Sequence, residues 1–236
     1  MGIYIRQLLA GRDFATEDYF ATQMANFVYL IGDDEQRVCM VVDPAWDIPG
    51  IIEFSDREGM QLAAALVTHY HPDHVGGHIF GHDIAGLADF VSTKSVKVHV
   101  NEIESEGVKQ VTGLSDSDLE KHRGGDDILI GDVKVSLLHT PGHTPGSQCF
   151  LAASALVSGD TLFIGGCGRV DLPGGNPDEM YYSLTQVLSK LPENTLLFPG
   201  HNYASKAVST IGDEKRENQC LKMRSLDDWR SLMGAA

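Results

Sequence analysis

Four side chains able to hold a metal ion stand within six residues, in the run Thr68-His69-Tyr70-His71-Pro72-Asp73-His74. A helix would scatter them around its axis, because positions two apart face different directions. A tight loop leaving a strand can turn all four toward one point. Imidazole and carboxylate are the donors expected for zinc, non-haem iron or manganese. Three more candidates follow along the chain. His143 lies in His139-Thr140-Pro141-Gly142-His143-Thr144-Pro145-Gly146-Ser147, where proline and glycine fix a sharp turn. Asp160 lies in Ser158-Gly159-Asp160-Thr161, and His201 in Pro199-Gly200-His201-Asn202-Tyr203. Each of these three follows an apolar run and a glycine. Together the seven side chains fit a centre for two divalent ions, with zinc as the first expectation and iron or manganese as alternatives. Two cations sharing a water lower its pKa and supply hydroxide near neutral pH, while one of them polarises a carbonyl. Asp73 is the expected catalytic carboxylate, ligating one ion, orienting the nucleophile and passing a proton to the leaving group.

The flanking sequence must deliver these side chains to one place. Residues 63–68 form a short apolar run that stops in the histidine motif, as a buried strand does at its C-terminal edge. Upstream, residues 26–31 and 37–43 read as strands about a turn, and residues 48–59 as an amphipathic helix. Residues 74–87 read as a helix interrupted by glycines. Residues 96–100 form a strand, 101–111 a helix and 114–125 a polar loop. The second half opens with a hairpin over residues 127–138, centred on Gly131-Asp132. Strands at 148–152 and 155–158 follow, then a helix over 177–191 with Met180, Leu184, Val187 and Leu188 on one face. A last strand at 195–198 ends at His201, and a charged helical tail past Gly212 carries Trp229. Strands followed by a helix, twice over, fit two packed sheets with helices outside. With no repeat and no linker in view, residues 1–236 are expected to form one domain.

Composition excludes several classes. The chain has 236 residues, and its 33 acidic against 18 basic side chains give a net charge of −15. Phosphate backbones would be repelled, so nucleic acid is not an expected partner. No apolar run is long enough to span a bilayer, and the N-terminal residues lack the pattern of a secretory signal. A cytoplasmic protein acting on a small molecule, with a homodimer open, is the expectation. Cys39, Cys149, Cys167 and Cys220 form no Cys-x-x-Cys pair and read as small buried apolar residues. Among the remaining histidines, His78 and His82 are candidates for outer partners of the ligands. His99 and His122 read as structural or solvent-exposed, and His139 as a packing or hydrogen-bonding residue.

The order His69-x-His71-x-Asp73-His74, then His143, Asp160 and His201, resembles the metallo-β-lactamase superfamily. That resemblance implies an α/β fold, an αββα sandwich of two mixed sheets flanked by helices, with metals between the upper strand ends. It assigns one ion to His69, His71 and His143, the other to Asp73, His74 and His201, and makes Asp160 the bridge. Gly159-Asp160-Thr161-Leu162-Phe163-Ile164-Gly165-Gly166-Cys167-Gly168-Arg169 and Asp178-Glu179-Met180-Tyr181 look like the hydroxyacylglutathione hydrolase (glyoxalase II) branch. Arg169 and Tyr181 are then substrate-binding candidates, and Tyr203, just past the last ligand, is a third. The segment after His201 departs from that branch. Its acidic Asp227-Asp228 stands where basic residues would serve the glutathione carboxylate. The compact C-terminus is similar to that of the persulfide dioxygenases, whose single iron would map to His69, His143 and Asp160. The Gly-Asp-Thr-Leu-Phe stretch reads closer to the hydrolases. Thioester or ester hydrolysis is therefore the first expectation and persulfide oxidation the second. Lactone or β-lactam hydrolysis follows, and then a non-catalytic binding module.

Overall fold

The computed structural model describes residues 2–234. Strands β1 (Ile3–Leu9), β2 (Phe27–Asp33), β3 (Val38–Val42) and β4 (Gln61–Leu66) lead into a small hairpin of β5 (Gly77–Ile79) and β6 (His82–Ile84). Then come β7 (Lys97–Asn101) and β8 (Leu119–His122). The first sheet has the order β1-β2-β3-β4-β7-β8, antiparallel on its β1 side and parallel from β3 onward. The second half contributes β9 (Asp127–Ile130), β10 (Val133–His139), β11 (Gln148–Ala152) and β12 (Ala155–Gly159). A short hairpin of β13 (Leu162–Phe163) and β14 (Gly166–Cys167) precedes β15 (Leu196–Pro199) and β16 (Ser209–Thr210). The second sheet has the order β16-β15-β12-β11-β10-β9, with β12 and β15 parallel and the other neighbours antiparallel.

Alternation along each strand sorts its side chains between two faces. Tyr29, Ile31, Met40, Val42 and Leu66 from the first sheet meet Val135, Leu137, Phe150 and Val157 from the second in a core between the sheets. The outer face of the first sheet packs Val28, Leu30, Val41 and Val98 against Ile48 and Ile51 of helix Ile48–Arg57 and Phe90 of helix Leu87–Lys94. The outer face of the second packs Leu156 and Leu197 against Met180, Leu184 and Trp229. Helices outside two mixed sheets give the αββα sandwich anticipated from the strand–helix pattern. No helix among the described residues is long and apolar enough to cross a membrane.

Four local expectations are corrected. Residues 74–87 do not form a helix: helix Pro72–Val75 ends after one turn because Gly76 and Gly77 adopt φ of 81° and 128°, and the chain then turns back as β5–β6. The polar loop at 114–125 contains β8, whose outward Glu120 and Lys121 hide its strand character. The helix placed over 177–191 is regular only over Pro177–Tyr182, passing into a π turn at Ser183–Val187 and a 3-10 turn at Leu188–Lys190. The helix placed at 101–111 runs from Ser105 to Thr112. Strand β1, unread in the sequence, pairs with β2 along its whole length.

Candidate metal centre

Every ligand-type residue singled out in the sequence lies at the same end of the sandwich. β4 leads through buried Val67 and Thr68 into the motif loop, where His69, Asp73 and His74 are buried and His71 is half-buried. His143 sits in the turn between β10 and β11, Asp160 directly after β12 and His201 just past β15. Two three-donor groups result, His69–His71–His143 and Asp73–His74–His201, each with its ligand atoms within 4.8 Å of one another. In the first, Nδ1 of His71 stands 3.1 Å from Nε2 of His69 and 3.0 Å from Nε2 of His143. In the second, Nε2 of His74 and of His201 are 3.2 Å apart, and each lies 3.4 Å from Oδ2 of Asp73. Asp160 stands between the groups: Oδ2 is 3.6 Å from Nε2 of His143 and 3.4 Å from Nε2 of His201, and Oδ1 is 3.4 Å from Nε2 of His74.

Three observations show that these residues suit metal ions. Ligands around a tetrahedral zinc at about 2.0–2.1 Å are about 3.3 Å apart, close to the separations found here. Among the described residues, Oδ1 of Asp160 is buried with no hydrogen-bond partner, an arrangement that is unfavourable unless a cation is meant to meet it. Most tellingly, the outer ring nitrogens are already engaged. Nδ1 of His74 donates to Oδ2 of Asp43 (3.0 Å), that of His143 to the Arg169 carbonyl (2.8 Å) and that of His201 to the Met24 carbonyl (2.7 Å). Thr68 donates its hydroxyl to Asp43 and so accepts from Nδ1 of His69 at 3.0 Å. This network fixes one tautomer for four imidazoles and aims four Nε2 lone pairs inward.

Electrostatics divide the two groups. Burial pushes His69 well below its ordinary pKa, reinforced by His74, His71 and His143. Burial and then His143 bring His71 down to about 4. Burial also disfavours charge on His74, but Asp73, Asp160 and Asp43 outweigh it and hold that imidazole up to about 10. His201 is raised, the Asp160 carboxylate overcoming burial. Burial works against ionisation of Asp160 too, yet His201 and His74 hold it well below the carboxylate range. His69 and His71 are thus neutral rings, whereas His74 keeps its charge between carboxylates. A cation entering there would displace protons.

Several supporting residues escaped the sequence reading. Asp43 follows the apolar run Cys39–Val42 at the end of β3, without the glycine that precedes Asp160. Its Oδ1 also accepts from the Thr68 amide at 2.8 Å, so both oxygens are occupied by outer contacts. Asn26 donates from Nδ2 to Oδ2 of Asp73 at 3.0 Å and accepts from the Trp46 indole at 3.1 Å. Buried Glu104 fastens the motif loop to the His143 turn, accepting from the Tyr70 amide (2.9 Å), the Thr144 hydroxyl (2.6 Å) and the Gly146 amide (2.8 Å). Nothing in local sequence marks Asn26 or Glu104, because their partners are distant in the chain. Close approach explains two of the glycines: a Cβ on Gly200 would lie 2.3 Å from Oδ1 of Asp160, and Gly159, at φ 49°, would place one 2.7 Å from Thr68.

The substrate-side candidates separate. Tyr203 is exposed and stacks on the His201 ring at 4.7 Å, with Phe163 edge-on to it at 5.5 Å. Arg169 reaches the centre through its carbonyl, while its side chain turns outward to pair with Asp171. Tyr181 packs against Tyr182 and Trp229. His78 pairs with exposed Asp83, and His82 stacks on Phe20, so neither joins the ligand shell. His139 Nε2 bonds the Pro145 carbonyl at 2.9 Å. Cys39, Cys149 and Cys220 are buried and Cys167 is half-buried.

Residues 21–201 match the family described as the metallo-beta-lactamase superfamily. The probable hydroxyacylglutathione hydrolase glo2 of Schizosaccharomyces pombe is 36% identical over 196 residues, which cover 79% of this chain and 68% of that protein. The human mitochondrial persulfide dioxygenase ETHE1 is 29% identical over 229 residues, covering 95% of this chain and 82% of that protein. Among solved structures, ETHE1 from Myxococcus xanthus aligns with a TM-score of 0.79 at 28% identity, over 98% of this chain and 90% of that one.

Proposed function

Because this chain belongs to the metallo-beta-lactamase superfamily, we propose that it is a metal-dependent hydrolase cleaving a thioester or ester of a small molecule. The carrying observation is the pair of three-donor groups on either side of Asp160. A single ion would leave Asp73, His74 and His201 crowded together without a task. Two divalent ions, zinc first, would be held by His69–His71–His143 and Asp73–His74–His201. Bound there, they supply an acidified water and a Lewis acid for the carbonyl. The residues of the chain do the rest. Asp43, Met24 and Arg169 hold the imidazoles in the ligating tautomer. Asp73, steadied by Asn26, stands where it can take a proton and return it to the leaving thiol or alcohol. Tyr203 and Phe163 give an aromatic wall for the acyl or thiol portion.

A second reading, a persulfide dioxygenase with one iron on His69, His143 and Asp160, is favoured by coverage. Likeness to human ETHE1 extends over 95% of this chain, against 79% for the hydrolase glo2. The deciding experiment compares thioester hydrolysis with oxygen uptake on glutathione persulfide, using purified protein of known metal content. Thioester turnover that scales with bound zinc is expected and should nearly vanish in Asp73→Ala. Oxygen uptake with bound iron, retained in Asp73→Ala and without thioester turnover, would overturn the hydrolase reading.

A further inference from the structure

Away from the centre, a second set of ligand-type side chains meets at the margin of the first sheet. β7 and β8 run parallel with His99 opposite Glu120 and Asn101 opposite His122. Glu120 and His122 are two residues apart and share a face, and the register puts His99 on that face as well. Nδ1 of His99 lies 2.8 Å from Nε2 of His122 and 4.0 Å from Oε2 of Glu120. The two rings are nearly parallel, 21° apart in plane and 5.0 Å between centres. Both imidazoles are largely buried, whereas Glu120 reaches in from solvent. On the far side of the His122 ring, Oδ2 of Asp126 stands 3.9 Å from Nδ1.

We propose that His99, Glu120 and His122 form a separate binding site for one divalent cation of the zinc, cobalt or nickel type. Two imidazoles and one carboxylate select such ions over calcium or magnesium, which prefer all-oxygen shells. The ligand atoms lie within 4.8 Å of one another, as do those of each central group. Asp126 lies on the outer side of His122, 3.9 Å from Nδ1, and adds negative charge beside that ring. Entry of an ion requires the two nitrogens to part from 2.8 Å to about 3.3 Å, with Glu120 drawn inward. β8 allows this movement: it has four residues and lies at the end of its sheet, bonded on one side only. The bound ion would bridge β7 to β8 and fasten that edge.

The test counts ions. Full-length wild type and H99Q/H122Q are saturated with zinc, desalted into metal-free buffer and analysed by mass spectrometry alongside protein concentration. Wild type is expected to retain one equivalent more than the double variant, with thioester turnover the same in both. E120Q, altered at an exposed position, should retain the ion with affinity lower by roughly tenfold. Cobalt titrated into metal-free protein should give, in wild type, a visible d–d component that H99Q/H122Q lacks and that E120Q reaches only at roughly tenfold higher cobalt. Equal zinc content in wild type and a folded double variant would overturn the site. Should that variant fail to fold, identical cobalt spectra and zinc affinities for wild type and E120Q would do so, leaving only a histidine–histidine hydrogen bond.

Discussion

Replacing Asp43 by Asn preserves shape and removes one acceptor at a place where three donors converge. The carboxylate accepts from the Thr68 amide at 2.8 Å, the Thr68 hydroxyl at 2.6 Å and Nδ1 of His74 at 3.0 Å. In D43N the amide oxygen can keep the Thr68 amide, and the hydroxyl can rotate to accept instead of donate. His74 has no such freedom. Either Nδ1–H confronts the new NH2 group, leaving a buried donor unsatisfied at about 1–3 kcal/mol, or the proton moves to Nε2 and blocks the lone pair aimed at the centre. Both routes weaken the Asp73–His74–His201 group, and 10–100-fold in affinity, about 1.4–2.8 kcal/mol, is the expected loss. Chelator-competition titration with metal counting measures it, and circular dichroism checks that the fold is kept. The His69–His71–His143 group should change less, since Asp43 reaches His69 only through the Thr68 hydroxyl and His143 rests on the Arg169 carbonyl. Unchanged affinity for every ion that the wild type binds would refute the argument that Asp43 sets the His74 tautomer.

Three further predictions follow from the same geometry. Asn26→Ala frees the Asp73 carboxylate and strands the Trp46 indole; kcat should fall about 10–100-fold, and urea unfolding should show about 1–3 kcal/mol lost. Gly200→Ala puts a methyl group where Oδ1 of Asp160 lies, so the purified variant should carry less metal than wild type by elemental analysis. For chelator-stripped protein, His71 has a folded-state pKa near 4 against an ordinary value of 6.5. A depressed histidine contributes stability above 6.5 that is lost as pH falls toward 4, because the unfolded chain takes the proton first. Thermal melts should therefore show Tm dropping across that window, less steeply in His71→Gln.

The centre was legible because its chemistry is written locally. Apolar strands stop just before His69, Asp160 and His201, and His143 lies in a Pro-Gly turn between two strands. Asp43 lacks the preceding glycine and so reads in the sequence as an ordinary strand end. What could not be read depends on partners far away in the chain: Asn26 matters only once β2 lies beside the motif loop, and Glu104 only once residues 144–146 arrive beneath it. Strand β8 was hidden by its charged outer residues, and the turn after His74 by a helix-like composition that Gly76 and Gly77 override through positive φ. The two sheets were legible from alternation; the π turn after Tyr182 leaves no such periodic trace.

Each donor group draws on both halves of the sandwich. His69 and His71 leave the first sheet and His143 the second; Asp73 and His74 leave the first and His201 the second. An ion in either group is therefore a rivet through two plates. At the far end of β2 the plates are joined without metal, by Asp33 accepting from the Asp132 amide at the β9–β10 turn. The molecule is built like a book whose spine is fixed and whose open edge carries both a permanent stitch, the Glu104 contacts to Thr144 and Gly146, and two places for a removable clasp.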